Sequence, residues 1–139
     1  MTDQEFLNIL KGLRMGATLK LATDQYSRFD AENNQVIVEF KKLSKDHPQN
    51  LLEGHKIINN FRIAELSKRD FYVICMGVEW IQVYNISLLI KKDKLTFKCE
   101  EGWTSNNSDK KKFQRLVTYI PIALAERSIS IKSQKHYIR

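Results

Sequence analysis

The segment Val36–Lys41 constrains the fold of this chain more than any other stretch. It reads Val-Ile-Val-Glu-Phe-Lys, a run of β-branched and aromatic residues that favours a strand. Because side chains alternate between the two faces of a strand, the three even-numbered residues share one face, whereas Ile37, Glu39 and Lys41 share the other. The sequence therefore predicts a strand in a sheet that is apolar on one face and displays an acid and an amine on the other.

The remaining periodicities predict one α/β domain over residues 1–139, in the order helix, strands, helix, strands. The expected helices cover residues 3–14 and 49–67, and the expected strands cover residues 18–22, 26–30, 36–41, 71–76, 80–86 (running on through 88–90), 95–99 and 116–122. Residues 31–35 are expected to form a turn, and residues 100–112 a polar loop. Pro48 suits the first turn of the second helix, and Pro121 the end of the last strand. The tail after Glu126 has no clear pattern.

The charge balance favours a polyanionic partner. The chain has 23 Lys and Arg against 16 Asp and Glu, for a net charge of +7, which suits nucleic acid. A basic protein that binds no polyanion is the alternative. Cys75 and Cys99 lack metal-ligand spacing and are expected to be small core residues. The start of the chain has no secretory profile and no apolar run reaches membrane-spanning length, so we expect no membrane segment and a reducing cytoplasmic location.

An acid upstream of the strand completes a candidate cation site. Asp30 lies nine residues before Glu39, and it approaches Glu39 if residues 26–30 pair with residues 36–41. Two carboxylates and the backbone carbonyl of Phe40 suit Mg²⁺, a hard ion that prefers oxygen ligands. Lys41 would then orient water or stabilise charge on a phosphate. The alternatives are a turn-forming Asp30 and a solvated pair of Glu39 and Lys41. The same acid-x-lysine pattern at Asp109–Lys111 is expected to be a solvated charge cluster.

These residues resemble the motif of the PD-(D/E)XK nuclease superfamily. The resemblance rests on Asp30, an eight-residue gap, and Glu39-Phe40-Lys41 on a strand that a helix follows. Phe29 stands where the proline that names the motif would be. The resemblance implies a central mixed sheet flanked by helices (a restriction-endonuclease-like core), with Asp30, Glu39 and Lys41 as the catalytic set. It further implies Mg²⁺ or Mn²⁺ as cofactor, DNA as substrate and a possible homodimer.

Two glutamates outside the motif have two interpretations each. The resemblance makes Glu5, on the first helix, a candidate member of the metal site, whereas its position after Thr2 also predicts a capping box. Glu53 and Lys56 share a helical face, either near the site or as a solvated pair. The three histidines show no ligand spacing and are expected at the surface.

Lysines near the motif and in the polar loop are the candidate DNA contacts. We expect phosphate contacts from Lys42, Lys45, Lys56, Lys110, Lys111 and Lys112. Trp103 either stacks on a base or pins its loop to the core. The sequence thus predicts a metal-dependent endonuclease that hydrolyses DNA. The alternatives are a catalytically inactive basic DNA-binding module and an inhibitory or regulatory module that binds another protein.

Overall fold

A computed structural model describes residues 2–11, 18–22, 28–103 and 112–139, with only the backbone described at Trp103 and Lys112. In this part of the chain the helices are α1 (Asp3–Leu10), α2 (Gly54–Leu66) and α3 (Ile86–Lys91), with a 3₁₀ helix at Ile122–Leu124. The strands are β1 (Lys20–Leu21), β2 (Ala31–Glu32), β3 (Val36–Lys42), β4 (Gln49–Glu53), β5 (Asp70–Met76), β6 (Trp80–Asn85), β7 (Phe97–Trp103), β8 (Lys112–Pro121), β9 (Arg127–Ser130) and β10 (His136–Ile138).

Two sheets organise the domain. The larger has seven strands in the order β1-β2-β3-β5-β6-β9-β10, and the smaller has three in the order β4-β8-β7. Strands β3 and β5 pair in parallel, from Val36 opposite Asp70 to Lys42 opposite Met76, while the other recorded pairs are antiparallel. A parallel pair needs a crossover, which here contains β4 and α2. The expected single α/β domain with a mixed sheet is confirmed.

The larger sheet has an apolar core on each face, whereas the sequence predicted one apolar face, because the residues around Ile37 on the second face are also buried. On one face Val36 and Val38 pack in the same cluster as Phe6 and Leu10 of α1. On the other face Ile37 belongs to a cluster that also includes side chains of α2, α3 and the smaller sheet, among them Ile57, Ile86 and Ile120. Glu39 and Lys41 lie on this second face, so the two charges point toward the layer that contains α2.

The expected helix over residues 49–67 is wrong in its first part, because residues 49–53 form strand β4. Asn50 and Leu52 are buried on alternate positions, and β4 pairs antiparallel with β8 from Gln49 opposite Pro121. Pro48 therefore precedes a strand instead of opening a helix. Helix α2 begins at Gly54, where an added Cβ would lie 2.7 Å from Cγ of Leu116. This close approach seats the start of α2 on the smaller sheet.

The turn before β3 also differs from the expectation. The pairing strand is Ala31–Glu32, within the stretch expected as a turn, while residues 28–30 form a bend. The side-chain oxygen of Asn33 accepts hydrogen bonds from the backbone N–H groups of Gln35 and Val36, each at 2.8 Å. The turn therefore lies at residues 33–35, directly before β3. Asp30 lies at the end of the pairing between β2 and β3, just before Ala31. Residues 23–27 lie outside the described ranges.

A side-chain cap ends another predicted strand early. The strand expected to run through residues 88–90 ends at Asn85, whose side chain accepts a hydrogen bond from the Leu88 N–H at 3.0 Å and caps α3. The expected loop over residues 100–112 is wrong at both ends, since β7 reaches Trp103 and β8 starts at Lys112. Residues 104–111 lie outside the described part of the chain, and so do Asp109, Lys110 and Lys111, for which the sequence predicted a charge cluster and DNA contacts.

Several local predictions are confirmed. Strand β5 covers the expected residues 71–76, β8 ends at Pro121, and Cys75 is buried. Cys99 is exposed, so its expected core position is wrong; it lies on β7, an edge strand of the smaller sheet. None of the helices described is long and apolar enough to cross a membrane.

Candidate functional site

Asp30 and Glu39 line one cavity. It has a volume of about 400 Å³ and lies between the β2–β3 end of the larger sheet and α2. Its wall is formed by Arg28, Phe29, Asp30, Glu39, His55, Lys56, Asn59 and Asn60. The backbone N–H of Phe40 donates a 2.7 Å hydrogen bond to Oδ2 of Asp30, which holds this carboxylate beside β3. The structure therefore brings together the two acids that the motif singles out.

A bulge in the backbone places Asp30. Ala31 is the register partner of Val38, yet the N–H of Asp30 donates to the same Val38 carbonyl at 2.8 Å. Two successive residues thus oppose one, which is the defining feature of a β-bulge, and bulges commonly redirect a side chain at the end of a pairing. The bulge keeps Asp30 against β3 although β2 itself has only two residues.

The two acids resist ionising together. Burial and, to a smaller extent, the nearby charge of Asp30 together raise the pKa of Glu39 to about 7. Burial also raises the pKa of Asp30, against the opposing effect of the Phe40 N–H. A partly buried pair of carboxylates needs a proton or a cation to balance its charge. The site is therefore electrostatically suited to a cation.

A second cavity, of about 250 Å³, adjoins the first. The two share Glu39, Lys56 and Asn60, and the second also includes Lys41, Lys42 and Glu53 among its lining residues. The amino group of Lys41 donates a hydrogen bond to the carbonyl of Leu51 on β4. Burial lowers the pKa of Lys41. Lys41 is thus held between β3 and the smaller sheet, and it lines the second cavity together with Glu39.

Lys56 is the cationic side chain common to both cavities. Its charge lowers the pKa of Asp30 and of Glu39, so it lies close enough to affect both. Nζ of Lys56 lies 3.7 Å from Oε2 of Glu53, and both side chains are largely exposed. The expected solvated pair with Glu53 therefore exists, but Lys56 also borders the candidate site.

Asn60 is a site residue that the sequence reasoning missed. It is 1% exposed, and its Nδ2 donates a 3.0 Å hydrogen bond to the Arg28 carbonyl. Its Oδ1 has no hydrogen-bond partner among the described residues. The signal was available, because Asn60 stands three residues after Ile57 and four before Ala64, within the buried stripe of α2.

The other predicted site residues are more distant from this cluster or are used elsewhere. Glu5 forms the capping box, in which its carboxylate accepts from the Thr2 N–H at 2.7 Å, and it lines neither cavity. Only the main chain of Phe40 faces Asp30, since its ring packs on Phe6 with centroids 4.7 Å apart. Lys42 lines the second cavity and forms a 2.6 Å ion pair with Asp3.

The remaining candidate DNA contacts are less informative. Lys45 is exposed and lines neither cavity. Lys112 is the first residue of β8, and the structure describes only its backbone. The same limit applies to the side chain of Trp103.

The donor set fits a hard divalent cation that keeps part of its hydration shell. Within the described ranges, no three or more His, Cys, Asp and Glu side chains gather as a metal-binding group. Asp30 and Glu39 offer two carboxylates, and Mg²⁺ commonly binds one or two protein carboxylates together with waters and substrate phosphates.

No protein-family model, curated protein or solved structure matches this chain. Its function must therefore be inferred from the geometry and chemistry of the site.

Proposed function

We propose that this protein is a metal-dependent endonuclease that hydrolyses phosphodiester bonds in DNA. The observation that carries the proposal is that Asp30, in the bend before β2, and Glu39, on β3, line one cavity. Their mutual repulsion and burial favour a bound cation. Lys41 and Lys56 place ammonium groups in the adjoining cavity, where a substrate phosphate would carry negative charge.

Asp30, Glu39 and the Phe40 carbonyl would hold Mg²⁺ or Mn²⁺. When bound, the ion would supply positive charge that polarises a phosphodiester and makes water more acidic. The Phe40 N–H fixes one oxygen of Asp30 and leaves the other oxygen available. Glu39 ligates only as a carboxylate, so it must lose its proton in the site.

Lys41 would act on the substrate phosphate or the attacking water. An ammonium group has three N–H donors. One of them bonds to Leu51 and sets the direction of the side chain, which leaves two for other acceptors. A fixed donor aimed at developing negative charge stabilises the transition state without reorganisation. Lys42, Lys45, Lys56 and Lys110–Lys112 would contact the phosphates on either side of the cut.

The test is cleavage of supercoiled plasmid and branched DNA with Mg²⁺ or with a chelator. We expect Glu39→Gln to lower the cleavage rate about 100-fold or more, the scale seen when one stabilising group is removed, and Lys41→Ala to lower rate more than DNA affinity. The matched control is Glu32→Gln. Glu32 lies on β2 within two residues of Asp30, but it lines a different cavity and pairs with Arg69 at 3.6 Å. Its substitution should leave cleavage unchanged.

The outcomes separate the candidate functions. Wild-type cleavage in Glu39→Gln, with its fold confirmed by circular dichroism, would reject the assignment. Salt-dependent DNA binding without cleavage by the wild-type protein would identify a catalytically inactive DNA-binding module. Neither activity would favour a module that binds another protein.

A further inference from the structure

We propose that the side-chain amide oxygen of Asn60 is a third protein oxygen ligand of the cation held by Asp30 and Glu39. The inference rests on the metal site of the proposed function and extends it to α2. The acid-x-lysine motif contains no such residue, so Asn60 would be a ligand in addition to those of the motif.

The orientation of the Asn60 amide is determined by one hydrogen bond. Nδ2 donates to the carbonyl of Arg28 at 3.0 Å, and the reversed amide would put two oxygens against each other. Oδ1 must therefore be the atom turned away from Arg28. It is buried and has no hydrogen-bond partner within the described residues, an arrangement that is unfavourable unless a ligand completes it.

The surroundings of Asn60 select the kind of ligand. Asn60 lines both cavities, sharing them with Glu39 and Lys56, and shares the larger with Asp30 as well. An amide oxygen is only an acceptor, so its partner must be a donor or a cation. Beside two carboxylates the partner that serves all three oxygens is a hard cation, since Asn carbonyls join carboxylates in such sites. Mg²⁺ also approaches oxygen to about 2.0–2.1 Å, closer than a water molecule does.

Asn50 is an internal comparison for this arrangement. It is 3% exposed, its Nδ2 donates to the Tyr84 hydroxyl at 2.8 Å, and its Oδ1 also lacks a partner among the residues described. The cavity beside Asn50 has a volume of only about 10 Å³. The one carboxylate there, that of Asp46, already accepts from the N–H groups of Glu79 and Trp80. Asn50 therefore matches Asn60 in burial and bonding but not in its surroundings.

The experiment measures Mn²⁺ binding without DNA, by isothermal titration calorimetry above neutral pH. We expect Asn60→Ala to weaken Mn²⁺ about 10-fold or more, the scale for loss of a supporting group at a metal site. Asn60→Asp keeps an oxygen but loses the donor to Arg28, and we expect it to bind Mn²⁺ at least as tightly as the wild type. Asn50→Ala loses a comparable buried amide and should keep the wild-type Kd.

Any other result contradicts either the ligand role of Asn60 or the proposed metal site itself. Wild-type Kd in Asn60→Ala would exclude Asn60 as a ligand, and equal losses in Asn60→Ala and Asn60→Asp would assign it only the hydrogen bond to Arg28. If Asn60→Ala does not fold, Asn60→Leu carries the same expectation with less lost volume. Absence of Mn²⁺ binding by the wild type would contradict the proposed function itself. If Glu39→Gln abolishes Mn²⁺ binding and Asn60→Ala leaves it intact, the result would contradict only the ligand role of Asn60.

Discussion

Glu39 is the residue at which burial and charge oppose each other most clearly. It lies in the middle of β3, faces the layer that contains α2, and has Asp30 beside it. Its pKa in the folded protein is raised from 4.5 to about 7, first by burial and then by the charge of Asp30. In the absence of metal, the folded protein therefore holds a proton on Glu39 over a pH range in which the unfolded chain has lost it.

This difference predicts how Glu39 affects stability. Between about pH 4.5 and pH 7 the folded state binds more protons at Glu39 than the unfolded state does, so stability falls as the pH rises through that window. Glu39→Gln removes this dependence. We expect the free energy of unfolding of Glu39→Gln, relative to the wild type, to rise across the window in metal-free buffer. Urea unfolding at several pH values measures it.

The same unfolding experiment with a saturating divalent cation is the comparison to metal-free buffer. If the proposed metal site exists, we expect binding to the ionised carboxylate to stabilise the folded wild-type protein at the upper end of the window, and Glu39→Gln to gain little. A difference between the two proteins that stays constant across the pH range, without metal, would contradict the raised pKa.

At the scale of elements, the smaller sheet positions Lys41 and helix α2, which line the candidate site. Strand β4 pairs with β8 and supplies the Leu51 carbonyl that receives the Lys41 amine, and α2 follows it directly with Lys56 and Asn60. Gly54 joins the two elements. An added Cβ there would lie 2.7 Å from Cγ and 2.8 Å from Cδ2 of Leu116 on β8, closer than side chains pack without movement. The lack of a side chain at Gly54 thus permits α2 to lie against β8.

Gly54→Ala tests this contact. Alanine favours helix over glycine, yet we expect a net destabilisation of about 1–3 kcal/mol because the added methyl group overpacks the contact with Leu116. In a Leu116→Ala background the same substitution should be neutral or stabilising. Urea unfolding of the four proteins in this double-mutant cycle provides the measurement. Equal destabilisation in both backgrounds would show that the contact does not limit the position of α2.

At the scale of the whole molecule, charge is distributed so that acids and bases meet at the site. The chain carries a net charge of +7, but the cavity of about 400 Å³ is lined by two acids, Asp30 and Glu39, as well as by Arg28 and Lys56. A cation would offset the local negative charge and let a DNA phosphate approach. The basic surface would then account for affinity, and the acids for chemistry.

This division predicts the salt dependence of DNA binding. Each lost phosphate contact reduces the slope of log affinity against log salt by about 0.9. We expect that change for Lys56→Ala and none for Lys132→Ala, an exposed lysine between β9 and β10 at the far edge of the larger sheet. Fluorescence anisotropy with labelled DNA, in chelator to prevent cleavage, measures the slopes. An identical decrease in both variants would indicate diffuse attraction instead of contact at the cavity.

Sequence alone was sufficient where the cause is local. The alternation in Val36–Lys41 correctly placed Glu39 and Lys41 on one face, and Thr2 with Glu5 correctly predicted the capping box of α1. The approach of Asp30 to Glu39 was also predicted, although the pairing strand proved to be β2 and not residues 26–30. A strand period and a short turn are enough to bring two acids nine residues apart together.

Only the tertiary structure decided what depends on distant partners. Residues 49–53 became a strand because β8 offers them hydrogen bonds, and no pattern within those five residues records that partner. The amide of Asn60, which lines the candidate site, is oriented by the Arg28 carbonyl, 32 residues away in the sequence. Periodicity reflects how neighbours along the chain are arranged. Whether a buried polar group has a hydrogen-bond partner depends on atoms that are distant in the sequence.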